Sequence, residues 1–204
     1  MRFFYTPRWL QALQPQYTWR VKNTSKKLFL TFDDGPIAEI TPFVLDTLAR
    51  FGAKATFFCV GDNIRKHPAI FQTILEQGHS VGNHTQHHLD GWRTENDLYI
   101  ENIQACATYL PADCKLFRPP YGKIKSSQFK AMRQPYKIIM WDVLTYDFDA
   151  KLRPETCLQK TKKHTREGSI IVFHDSLKAA QNLQYVLPRY LEWAINAGFT
   201  FEAL

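Results

Sequence analysis

LFLTFDDGP, residues 28–36, reads as a strand that stops on a turn: an apolar run, broken only by Thr31, ends on two carboxylates, a glycine and a proline. Apolar and polar side chains do not alternate in it, which is the pattern of a strand covered on both faces. The same kind of run returns at 55–61 (ATFFCVG), 79–83, 115–122 (KLFRPPYG), 136–142 (YKIIMWD), 169–175 (SIIVFHD) and 199–204 (FTFEAL). Helical stretches are expected between them, over 41–50, 68–77, 95–110, 126–132, 154–166 and 182–197. Thr41 is read as the N-cap of the first, and Gly52, Gly78 and Gly198 as stops. Seven covered strands alternating with helices predict an α/β fold, either a parallel β/α barrel or an open doubly wound sheet. Asp33, Asp34, His84, Arg118, Asp142, Asp147 and His174 all follow strand ends, the edge where both folds gather a site. One mouth shared by so many strands favours the barrel.

Composition sets the bounds. The 204 residues are 45% hydrophobic, enough for one domain with one core. The barrel is expected over 28–204, and the aromatic segment 1–27 is expected to pack on it, across its base. A net charge of +7 is spread over scattered lysines and arginines and reads as a solvated basic face, with no recognisable nucleic-acid module. Cys59, Cys106, Cys114 and Cys157 make no CxxC pair, and Cys59 reads as a buried thiol. No run approaches 18 apolar residues, so no transmembrane segment is predicted. The N-terminus lacks a clear signal peptide. If that start is complete, a cytoplasmic protein is expected, with peripheral membrane association as an alternative. Phosphate-binding glycine motifs are absent, which leaves a nucleotide cofactor without support.

The chemistry gathers in a few segments. His84 and His88 are four apart in GNHTQHH, which on a helical turn would put both imidazoles on one face. A metal site needs a further ligand, and Asp33 or Asp34 can supply a carboxylate. The other reading of that segment alone is a polar loop with surface histidines.

Taken together, five segments resemble the polysaccharide deacetylase family, also described as the NodB-homology or chitooligosaccharide deacetylase group and as carbohydrate esterase family 4. They are TFDDGP at 31–36, HTQHH at 84–88, RPPYG at 118–122, the stretch from Trp141-Asp142 to Tyr146-Asp147-Phe148, and VFHD at 172–175. The resemblance covers roughly residues 28–200. It implies an irregular seven-stranded β/α barrel, a distorted TIM-like fold, and removal of N-acetyl groups from a carbohydrate such as peptidoglycan, chitin or an oligosaccharide. By the same resemblance Asp34, His84 and His88 would bind one divalent metal, zinc by ligand type, with cobalt, nickel or iron as chemical alternatives. Asp33 would be the general base and pair with Arg118; His174 would be the general acid, oriented by Asp147 with Asp142 as the competing residue. Tyr121, Phe148 and Val172 would line the substrate pocket. Two positions depart from the family pattern. Phe148 stands where a tryptophan is usual, and Val172 where leucine is frequent. Two further functions are weighed beside this one: hydrolysis of an amide or ester in a small metabolite by the same site, and carbohydrate binding without catalysis.

Overall fold

The computed structural model describes residues 2–22 and 25–204 of the chain. Eight parallel strands are described: β1 (Lys27–Asp33), β2 (Ala55–Cys59), β3 (Ser80–Asn83), β4 (Leu116–Phe117), β5 (Lys137–Ile138), β6 (Val143–Leu144), β7 (Ile170–His174) and β8 (Thr200–Phe201). Their order is β5-β4-β3-β2-β1-β7-β6, and β8 pairs with the start of β1. The sheet curls into a half-barrel with its helices outside. They are α1 (Arg8–Leu13), α2 (Thr41–Arg50), α3 (Gly61–Lys66), α4 (Pro68–Glu76), α5 (Asn96–Ala107), α6 (Ser126–Met132), α7 (Pro154–His164) and α8 (Ala180–Asn196).

The continuous apolar runs are explained by this arrangement. Every residue of β1 from Leu28 to Asp33 is buried, as is all of β2. Phe32 stacks on Phe57 at 5.1 Å and on Phe173 at 5.8 Å between ring centroids. These rings join the faces of α2, α4 and α8 in the main core. Burial of this kind contributes roughly 25 cal/mol per Å² of apolar surface, so large rings on central strands carry much of the driving force.

Three local expectations are corrected. The run 136–142 holds only a two-residue strand, and a separate strand β6 follows it. Thr41 is the first residue of α2 rather than its cap, because its hydroxyl is drawn to Asp175 at 2.7 Å. The N-terminal segment runs along the side of the half-barrel, not across its base. It fills the opening between β5 and β6, where two short strands leave backbone groups without neighbours. Thr18 donates its N–H to the Ile138 carbonyl (2.9 Å) and accepts from the Met140 N–H (2.8 Å). Farther up, Thr6 donates to the Asp142 carbonyl and Leu144 donates to that of Phe4. Buried backbone groups must find partners, and this segment supplies them. Among the described residues no helix is long and apolar enough to cross a membrane.

Candidate active site

The ends of β1, β3, β4 and β7 converge on a cavity of about 510 Å³ whose walls include Asp33, Asp34, His84, His88, Tyr121 and His174. β1 supplies two adjacent carboxylates that face different groups. Thr31 and Asp33 lie two apart and so share one face of the strand. Both accept from Nη1 of Arg118, at 2.7 Å and 2.6 Å. Asp34 leaves the strand with φ +87, a left-handed conformation that few non-glycine residues adopt. Its carboxylate lies 3.2 Å from Nε2 of His88 and 3.8 Å from Nε2 of His84.

The turn behind Asp34 is fixed by a residue that sequence reasoning quoted without giving it a role. Asp175 is fully buried and accepts the Gly35 N–H at 3.0 Å and the Thr41 hydroxyl at 2.7 Å. Burial, with the charge of Asp34 nearby, pushes its carboxyl up to about 8. A Cβ at position 35 would sit 1.9 Å from the Asp175 carboxylate, so only glycine fits. The position next to His174 in VFHD was the available signal.

His84 and His88 meet, but not through a helix as their spacing predicted. Residues 84–88 form an irregular loop, with Thr85 at φ +64 and His88 at φ +55. The two rings are 5.0 Å apart. His84 Nδ1 lies 2.7 Å from the Arg118 carbonyl, which can only accept. The proton is therefore on Nδ1, and the Nε2 lone pair faces Asp34. Burial lowers the His84 pKa to about 4, which keeps the ring neutral as a ligand requires. His87 turns away, its Nδ1 at 3.0 Å from the Asn102 side chain.

One ligand atom each from Asp34, His84 and His88 lie within 4.8 Å of one another. Oδ1 of Asp34 is buried without a hydrogen-bond partner, despite its closeness to His88. Converging lone pairs, one neutral imidazole of defined tautomer and an orphaned carboxylate oxygen fit a divalent cation. This is a metal-binding site with two imidazoles and one carboxylate.

Arg118 is wholly buried. Besides Thr31 and Asp33 it donates to the carbonyls of Ile139 (3.2 Å) and Met140 (3.0 Å), and its guanidinium lies 4.2 Å over the Phe58 ring. All three guanidinium nitrogens are thus committed, a geometry lysine cannot copy.

On β7, the neighbour of β1, His174 is gripped twice by Asp147. One carboxylate oxygen lies 2.8 Å from His174 Nδ1, and the other accepts the His174 N–H at 2.8 Å. Burial alone would lower the His174 pKa, but the charge and hydrogen bond of Asp147 outweigh it and lift it to about 9. Asp142 lies elsewhere: it binds Arg166, Ser169 and Gln11 and ties the N-terminal segment to the barrel. Phe148 meets His174 edge-on at 4.8 Å, Tyr121 does the same to His88 at 4.7 Å, and Val172 lies in the cavity wall. Trp141, Leu144 and Tyr146 also line it; Trp141 and Tyr146 stand in the fourth segment, but none of the three was given a role from the sequence. They carry no polar pattern that would mark them.

A family model described as polysaccharide deacetylase matches residues 20–135. A peptidoglycan-N-acetylglucosamine deacetylase of Bacillus cereus is 31% identical over 189 residues, covering 90% of this chain and 89% of that protein. A chitooligosaccharide deacetylase of Azorhizobium caulinodans is 30% identical over 162 residues, covering 76% and 77%. Among solved structures, a peptidoglycan N-acetylglucosamine deacetylase in complex with 4-naphthalen-1-yl-N-oxidanyl-benzamide superimposes with a TM-score of 0.88. Its sequence identity is 30%, and the match covers 98% of this chain and 95% of that one.

Proposed function

This chain belongs to the polysaccharide deacetylase family and is a metal-dependent deacetylase of N-acetylated carbohydrate, and on that premise we propose that it acts on N-acetylglucosamine residues of a glycan chain such as peptidoglycan. The similar deacetylases of peptidoglycan and chitooligosaccharide support that substrate class. The observation that carries the reading is one cavity lined by the metal triad together with two hydrogen-bonded pairs, Asp33 with Arg118 and His174 with Asp147.

The geometry supports the following roles. Asp34, His84 and His88 would hold the cation, and zinc suits two imidazoles and a carboxylate. When bound, the cation supplies Lewis acidity for the amide carbonyl and makes water easier to deprotonate. Asp33 takes the proton of the attacking water, with Arg118 fixing the carboxylate's direction. By the family resemblance, a backbone N–H near Tyr121 would be offered to the developing oxyanion. His174 gives its Nε2 proton to the departing sugar amine, while Asp147 keeps Nδ1–H and the ring plane in place. Leu144, Phe148 and Val172 give the acetyl methyl an apolar wall. The chain acts as one domain, with residues 4–20 of its N-terminal segment serving as part of the barrel wall.

Two measurements test this. Purified protein is offered peptidoglycan strands, chitooligosaccharides, N-acetylated monosaccharides and small acetamides, with acetate and free amine followed together. Equal release of both from the glycans is expected; cleavage of the small acetamides alone would hand the function to a metabolite hydrolase. In the second, Phe148→Trp is expected to change the ratio of acetyl to propionyl hydrolysis by about tenfold, since one methylene in an apolar pocket is worth roughly 1–3 kcal/mol. Metal content should not change. An equal effect on formyl, acetyl and propionyl substrates would move Phe148 out of the acyl wall.

A further inference from the structure

A second cavity, of about 420 Å³, opens beside the catalytic one and shares Tyr121, Trp141, Leu144 and Tyr146 with it as a common wall. Its outer side is made by the N-terminal segment, chiefly Phe3, Tyr5 and Trp9, with Trp19 behind them. The aromatic side chains here are unusually open: Phe3 is 57% exposed, Trp9 65% and Tyr121 60%. Large rings left in water are costly unless something covers them, and clustered in a concavity they mark a binding surface.

The segment is no loose tail. Thr6 donates its N–H to the Asp142 carbonyl at 2.9 Å and its hydroxyl to the Trp141 carbonyl at 2.8 Å. Leu144 donates to the Phe4 carbonyl at 3.1 Å, and the Phe3 N–H to the Tyr146 hydroxyl at 3.1 Å. Tyr5 is backed by the His164 ring, with centroids 4.6 Å apart and planes near parallel. The backbone that carries Phe3 and Tyr5 is therefore held on the same stretch, 141–146, that walls the catalytic cavity. A segment already ordered loses little freedom on binding, which favours affinity.

We propose that this groove is a second sugar-binding site, taking a pyranose next to the one whose N-acetyl group enters the catalytic cavity. The inference rests on the deacetylase reading given above. A pyranose presents a face of C–H groups to an aromatic ring and hydroxyls at its rim, and a row of indole and phenol rings matches that surface. Continuity with the catalytic cavity selects the glycan chain itself as occupant. Trp9 has the most open ring and is the specificity-determining residue for chain length.

The test compares wild type and Trp9→Ala on N-acetylglucosamine oligomers, from the monosaccharide upward. In wild type kcat/KM rises with chain length. In Trp9→Ala that rise is cut about three- to tenfold through KM, the effect of one lost aromatic contact. Trp9→Tyr should restore most of it. Binding of the oligomers to chelator-treated protein, followed by calorimetry and tryptophan fluorescence, should show the same ranking without turnover. Thermal melting checks that each variant folds. If wild type and Trp9→Ala respond identically to chain length, the second site is overturned and the deacetylase reading stands. If wild type deacetylates no glycan, that reading fails, and the binding arm alone still decides the groove. Loss in Trp9→Ala of binding to phosphatidylglycerol vesicles, or of self-association, with chain-length dependence intact, would assign the rings to a membrane or a second copy and overturn the proposal.

Discussion

Protein carrying His84→Ala together with His88→Ala should contain no stoichiometric metal and should release no acetate from any glycan. Two of the three converging ligand atoms are removed, and a lone carboxylate cannot hold a divalent ion tightly against solvent. Wild type purified without added metal should carry up to one ion per chain. Elemental analysis of both proteins measures this, with circular dichroism as the check on folding. That check matters because His84 is 2% exposed and its loss leaves the Arg118 carbonyl without its donor. His88→Ala alone, at a partly exposed position, provides the milder comparison. Unchanged metal content in the double variant would sink the assigned ligand set.

Asp33→Asn and His174→Ala should each keep the metal and each lose roughly 10²–10⁴-fold in activity, the usual worth of a general base or acid. The amide of asparagine cannot take a proton from water. Alanine at 174 leaves the sugar amine to depart without a proton. The leaving group tells the two apart. An activated ester expels a weakly basic oxygen and needs little acid assistance, so it should rescue His174→Ala in part and Asp33→Asn much less. Single-turnover rates keep product release from masking the difference. Equal rescue of both variants, or full activity in Asp33→Asn, would show that the two roles are wrongly divided.

The pH profile gives an independent reading of the acid. A general acid must be protonated, so activity falls as pH rises through its pKa. For His174 that point lies near 9 rather than the usual 6.5, because Asp147 overcomes the effect of burial. A cation held by Asp34, His84 and His88 would repel the imidazolium and bring the limb down from there. The limb should vanish in His174→Ala. The same raised pKa has a consequence for stability: the His174–Asp147 pair contributes fully below the unfolded pKa of 6.5, and the contribution is lost as pH rises through about 9.

The sequence revealed the site more readily than the backbone that builds it. Asp33, Asp34, His84, His88, Arg118 and His174 stand in short motifs at strand ends, and the fold brings them to one cavity or its wall. The reason for the histidine pair was misread, because i,i+4 spacing implies a helical turn only where the backbone is helical. Here left-handed residues at Thr85 and His88 bend a loop to the same end. Strand β6 was hidden because a two-residue strand has no period to detect. Asp175 was hidden for another reason. Its partners, the N–H of Gly35 and the hydroxyl of Thr41, lie far away in sequence, and only the folded chain makes it the anchor of the Asp34 turn. The sequence marks the aromatic N-terminal segment only as packing on the barrel or resting on a membrane, since the exposure of Phe3, Tyr5 and Trp9 depends on where the segment threads.

The course of that segment also bears on how molecules of this protein behave toward one another. A half-barrel has two terminal strands, and uncovered strand edges offer N–H and carbonyl groups to any other chain that can extend alongside them. Here both edges, β5 and β6, are met by residues 4–18 of the same molecule. Their hydrogen bonds occupy backbone groups of both edge strands from within the molecule, so the leading residues act as an internal guard against edge-to-edge pairing between copies.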